Sequence, residues 1–205
     1  MALSLDAVGK PLGPKTREYS WKDLVLYALG VGAGFDELEF CYEERLKAVP
    51  SIATPFTIDF MFDVVAGANV NLAGLLHAQQ EIVFHGAIPV EGKLTTTGSI
   101  TNIYDKGDRK GALVVADGET VDEDGNKVFT NTYTLFGRRD GGFGGEPPPS
   151  ETFLFPDRDP DFVEKAEPSV DQPLLYRLSG DVFALHVDPD FAKRAGFEKP
   201  IMHGL

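Results

Sequence analysis

The chain has 205 residues, 42% hydrophobic and 25% charged, a balance that suits an ordinary globular protein with a real core. A net charge of −13, with no Lys/Arg run longer than two, argues against nucleic-acid binding, although a few local cations can still meet a phosphate-bearing ligand. The lone cysteine, Cys41, excludes an intrachain disulfide and fits a reducing compartment, no run of about 18 apolar residues offers a membrane span, and Met1–Lys10 lacks the basic start and apolar run of a signal peptide.

Residues 1–19 read as an irregular lead-in, because Pro11, Gly13 and Pro14 interrupt any helix. Ser20 then caps a helix over Asp23–Leu29, with Asp23 three residues on, and Gly30, Gly32 and Gly34 close it. A second short helix is expected over Asp36–Lys47, ended by Pro50. The run 57–74 is nearly free of charge and fits either a buried helix or turns. Four segments rich in Thr, Val, Ile and Phe follow: Leu75–Phe84, Gly92–Tyr104, Ala112–Val121 and Lys127–Gly137. Turn signals separate them, the strongest being Asp122-Glu123-Asp124-Gly125-Asn126, so a four-stranded antiparallel meander is expected in an α+β chain.

Residues 138–151 carry glycines and then three prolines, a flexible linker. Gly141–Gly145 lacks the Lys-Ser/Thr of a phosphate loop. Beyond it, Phe153 and Phe155 are expected to pack on the sheet, and Asp157, Asp159 and Asp161, alternating around Arg158, to form a solvated surface. Gln172–Ser179 reads as a short helix closed by Gly180, and Asp188-Pro189 caps another that runs to Ala195 and ends at Gly196.

Between these helices lie Asp181 and His186. A carboxylate and an imidazole in one loop can act as a general acid/base pair, although the spacing by itself also suits a turn cap and a structural ring. Gly204 follows Pro200 where a helix would begin, and a bare amide there could stabilise an oxyanion. The neighbouring His203 is read either as adjoining that site or as lying in solvent. His77 and His85 have no ligand-spaced partner, so no metal site is expected, and Cys41 reads as a small hydrophobe.

The string from Tyr176 to Leu205, YRLSGD followed by LH, DP, FA, AGF, PI and HGL, resembles the hydratase 2 motif of MaoC-like dehydratases and of the peroxisomal multifunctional β-oxidation enzyme. REYSWKDLVLYALGVGAG, LLHAQQEIVFHGAIPVEGKL and DGGFGG resemble the same family's N-terminal entry, first-domain strand and interdomain linker. The resemblance implies a double hot-dog fold: a near-complete first hot dog over 1–137, the linker 138–151, and a second hot dog over 152–205 that stops after the start of its central helix. It implies reversible hydration of a trans-2-enoyl-CoA to an (R)-3-hydroxyacyl-CoA, with the coenzyme A thioester as substrate and no metal or redox cofactor. Asp181 and His186 would be the acid/base dyad and the Gly204 amide the oxyanion donor. His77, Lys93 and Asp161 would contact the acyl-CoA. A homodimer and a peroxisomal location are further implications, with the cytoplasm as the alternative, since the last residues are His203-Gly204-Leu205 and not Ser-Lys-Leu. The family motif has Asn-Pro two residues after the dyad Asp, where this chain has Phe183-Ala184. That replacement keeps a second reading open, a non-catalytic acyl-CoA-binding or assembly module, with a hot-dog thioesterase ranked last.

Overall fold

The computed structural model describes residues 2–150, 156–165 and 167–204. Phe153 and Phe155 fall outside them. Five strands form one antiparallel sheet: β1 Pro11–Tyr19, β2 Leu75–Phe84, β3 Gly92–Asp105, β4 Ala112–Val121 and β5 Lys127–Gly137. Their order is β1-β3-β4-β5-β2. The four expected strands form within a residue of their expected bounds. Only β3-β4-β5 is a meander, however, because β2 lies at the far edge against β5. The 122–126 turn closes on Asp122, whose Oδ1 accepts from the amides of Asp124 (3.0 Å) and Asn126 (2.8 Å).

The irregular lead-in is in fact β1. Pro11 and Pro14 cannot serve a central strand, but an edge strand has one side that needs no donors. A bulge between Leu12 and Lys15 absorbs the irregularity. Gly13 is required there, since its φ is +83° and a Cβ would stand 2.7 Å from the Thr96 carbonyl.

Helix α1, Trp21–Gly30, begins as its cap predicts: the Ser20 amide donates to Asp23 Oδ2 at 2.8 Å. The expected helix over 36–47 is instead two 3-10 turns, Phe35–Phe40 and Glu43–Arg45, with no residue buried in either. Without an apolar face to dock, that segment gains nothing from a longer α-helix. After the single turn α2, Ala53–Phe56, helix α3 spans Ile58–Ala68 and settles the run left open in the sequence. Ile58, Met61, Val65 and Ala68, joined by Phe60 and Val64, are buried against Ile100, Val114, Ala116, Tyr133 and Leu135 of the sheet. A helix along one sheet face is the hot-dog arrangement. The alternating burial of β4 and β5 follows from it, since every second residue faces the helices: Val114, Ala116, Tyr133 and Leu135 lie with α3, and Val128 and Phe129 with α1 and α2.

Among the described residues beyond 150 there is no strand. Helix α4, Gln172–Tyr176, and helix α5, Pro189–Ala195, pack back onto the first unit. Gln172 Nε2 donates to the Gly30 carbonyl at 3.1 Å, and Arg138 Nη2 donates to the Ala195 carbonyl at 2.6 Å, capping the end of α5. The linker is not free along its first half. Asp105, at the end of β3, accepts the amides of Gly107 (2.8 Å), Gly142 (2.8 Å) and Gly144 (2.7 Å), and these bonds hold its carboxyl below the usual carboxylate range.

Candidate active site

The segment Tyr176–Gly204 closes over one end of α3 and β2, and a cleft of about 240 Å³ remains between them. Gly180 makes the turn that delivers Asp181: its φ is +141°, and a Cβ would lie 2.9 Å from the Pro55 carbonyl. The Phe183 amide donates to Asp181 Oδ1 at 3.2 Å, leaving Oδ2 turned toward the imidazoles. Ala184–His186 is a 3-10 turn anchored by the buried Leu185, which packs with Ala192, Ala195, Leu76 and Phe183.

His186 Nδ1 lies 2.9 Å from the Ile201 carbonyl. A carbonyl can only accept, so Nδ1 carries the proton and Nε2 presents a lone pair. Nε2 stands 4.0 Å from Asp181 Oδ2, beyond direct bonding but within the span of one shared water. The His203 ring stacks on His186 with centroids 3.8 Å apart, and Tyr176 packs against it at 4.5 Å. His203 Nε2–H donates to the Asp181 carbonyl at 3.2 Å, which ties down the backbone that carries the carboxylate. Burial and the neighbouring His186 push the His203 pKa down, which favours the neutral ring.

The opposite wall comes from β2. His77 and Gln80 both line the cleft, although strand residues three apart normally face opposite sides. A one-residue bulge between His77 and Gln79 restores them to one face. Behind Gln80 runs a buried polar chain. Gln80 Nε2 donates to Asn131 Oδ1 (2.8 Å); Asn131 Nδ2 donates to Tyr133 OH (3.0 Å) and Thr57 Oγ1 (3.1 Å). Tyr133 OH donates to Thr57 Oγ1, and Thr57 Oγ1 donates to the Ala53 carbonyl (2.9 Å). Burial pushes the Tyr133 hydroxyl up to about 12.

Two family models match the chain, the MFE-2 hydratase 2 N-terminal domain over residues 18–139 and the MaoC-like domain over 153–205. A MaoC-like dehydratase from Phytophthora capsici superposes with a TM-score of 0.83 at 30% identity, covering 98% of this chain and 72% of that one. The full-length peroxisomal multifunctional enzyme type 2 of Drosophila melanogaster gives 0.75 at 33% identity, covering 95% of this chain and 35% of that one. The 3-hydroxyacyl-thioester dehydratase Y of Mycobacterium tuberculosis is 40% identical over 100% of this chain and 73% of its own length. The chain belongs to the MaoC-like, MFE-2 hydratase 2 family. It spans 65% of the "probable enoyl-CoA hydratase 2" of Dictyostelium discoideum, to which it is 41% identical over 90% of its own residues.

Of the residues predicted from sequence, this MaoC-like chain gathers Asp181, His186, Gly204 and His77 around one cleft. Gly204 lies in irregular backbone there, not at a helix start, and its amide makes no hydrogen bond among the described residues. Lys93 does not line the cleft; it lies on β3 and pairs with Glu18 at 3.7 Å. Asp161 does not line it either, being exposed and bound to Arg158 at 2.9 Å. His203, which the sequence left between site and solvent, is buried with 8% exposure. Gln80 and Asn131 carried no signal beyond being polar at inward positions of their strands. Phe183 lines the cleft and packs edge-on against Phe62 and Phe191. Asp181, His186 and His203 have ligand atoms within 4.8 Å of one another. A divalent cation could use all three only if His203 released the Asp181 carbonyl.

Proposed function

We infer that this chain hydrates trans-2-enoyl-CoA reversibly to (R)-3-hydroxyacyl-CoA. One observation carries the reading: Asp181 Oδ2 and the Nε2 of His186, its tautomer set by the Ile201 carbonyl, face one cleft with room for a water between them. Such a water donates to both groups. One of them takes its proton as the oxygen bonds to C3, and the C2=C3 electron pair moves toward the thioester carbonyl. The group that took the proton then delivers it to C2, while the second hydrogen stays on the new C3 hydroxyl, so one water is added and no proton is lost. The Gly204 amide, which lines the same cleft, would donate to the enolate oxygen, where loss of a donor typically lowers the rate on the order of 100-fold. The names of the Dictyostelium and Mycobacterium relatives, an enoyl-CoA hydratase and a hydroxyacyl-thioester dehydratase, point to the two directions of this reaction.

The test is incubation with crotonyl-CoA while the enoyl absorbance is followed, with product analysis. Formation of 3-hydroxybutanoyl-CoA that is lost in Asp181→Asn and His186→Asn supports the reading. Release of free CoA makes the protein a thioesterase. Binding without turnover, equal in the variants, makes it a non-catalytic acyl-CoA module, a reading that Phe183 in the cleft favours. A peroxisomal setting is supported by the Arabidopsis thaliana relative, named as a peroxisomal hydratase. Pairing of two copies, measurable by light scattering, has a candidate surface in the edge of β2 that faces away from β5.

A further inference from the structure

Phe183 stands two residues after Asp181, where the family motif has asparagine. Its amide donates to Asp181 Oδ1, so the backbone that carries the ring is tied to the carboxylate. The ring meets three others near edge-on: His186 at 6.3 Å between centroids, Phe191 at 5.2 Å and Phe62 at 6.5 Å. His186 and Phe191 belong to its own segment, whereas Phe62 comes from α3 on the facing wall. Phe183 and Phe62 therefore bridge the two walls of the cleft, close beside the acid/base groups. Contact on three sides leaves the Phe183 side chain little room to step aside.

The lining of the cleft is uneven. Met202 and Gly204 are exposed, while Ile58, Met61 and Leu75 are buried and apolar. A coenzyme A arm is long and polar, so it must leave past the exposed residues, which also puts the thioester carbonyl near the Gly204 amide. The hydrocarbon tail then runs the other way, inward. C3 has to sit about 3–3.5 Å from the attacking water. That water has to sit within about 3 Å of His186 Nε2. The carbons just past C3 thus come up against the Phe183 ring. The cleft, at about 240 Å³, is also smaller than the roughly 300–1,000 Å³ of pockets that enclose drug-sized ligands.

We propose that Phe183, backed by Phe62, is a specificity-determining residue: it closes the acyl end of the cleft, so that short enoyl thioesters such as crotonyl fit and long straight chains do not. The proposal rests on the hydratase reading above and names the class of acyl group that the site accepts.

The experiment measures kcat/KM for crotonyl-CoA and trans-2-decenoyl-CoA in the unmodified protein, in Phe183→Ala and in Phe183→Leu. One methylene more or less in an apolar pocket changes kcat/KM by roughly 10–200-fold, so the unmodified protein should favour crotonyl-CoA by at least about tenfold. Phe183→Ala should move the ratio toward the decenoyl substrate by at least about tenfold. Phe183→Leu keeps an apolar side chain against Phe191 and should move the ratio the same way by less, which decides the matter if Phe183→Ala fails to fold. Two results overturn the proposal: no preference for crotonyl-CoA in the unmodified protein, or a ratio that neither substitution moves because both substrates are slowed by one common factor. If neither thioester is hydrated, the hydratase reading fails and the limit is judged by calorimetric titration of butanoyl-CoA and decanoyl-CoA. A gain in decanoyl-CoA affinity relative to butanoyl-CoA in the variants then supports it, and an unchanged relative affinity overturns it.

Discussion

Asn131 is fully buried, yet it joins Gln80 to Tyr133 and Thr57 through three hydrogen bonds. Asn131→Ala removes all three, each worth about 1 kcal/mol, and strands the Gln80 amino group, so a loss of roughly 2–4 kcal/mol is expected. For a chain of this size that corresponds to a Tm lower by about 5–15 °C. Asn131→Asp is the sharper probe. A carboxylate keeps the bond from Gln80 but cannot donate to Tyr133 or Thr57, and it must ionise in a dry site. Burial raises its folded pKa above the unfolded value, so its deficit should be small in acid, below the unfolded pKa, and deepen as pH rises through the folded pKa. Melts of both variants and the unmodified protein, followed by circular dichroism from pH 4 to 8, give the result directly. A loss below about 1 kcal/mol for Asn131→Ala, or a pH-independent deficit for Asn131→Asp, would refute the directional chain.

Asp181→Asn and His186→Asn should each lower kcat for hydration at least about 100-fold while the fold survives, as a steady-state assay with a matched melt will report. His77 and His203 both have pKa values held below 6.5 by burial, so they favour the folded state above that value, and stability should fall as pH drops below it; in His77→Phe the acid-side loss should shrink. Asp105→Asn weakens the acceptor for Gly142 and Gly144, so hydrogen exchange at those two amides should quicken while that of β4 is unchanged. Phe60→Ala empties the interface between α3 and the sheet and should cost about 3–5 kcal/mol in a denaturant titration.

Strands β4 and β5 were legible because one face of each is buried under the helices and the other is more open, which writes an alternating pattern. Strand β1 was hidden because an edge tolerates the prolines that would break an interior strand. Helix α3 stayed open because its apolar residues are not confined to one narrow stripe, and periodicity does not separate a buried helix from other buried backbone. In the site, Asp181 and His186 were legible as a local pair. His203 was not, since its burial depends on Tyr176 and His186, which stack on it from elsewhere in the chain. Gln80 was invisible for a different reason: its facing depends on a bulge at its neighbour, and no residue type announces a bulge.

The bond from His186 to the Ile201 carbonyl makes the backbone after Pro200 part of the proton inventory. A shift of that stretch by an ångström or two would free Nδ1 and let the ring exchange which nitrogen it offers to the cleft. Whatever packs against residues 200–204 therefore acts on the chemistry without touching a reactant, by choosing which protonation isomer of one ring is present.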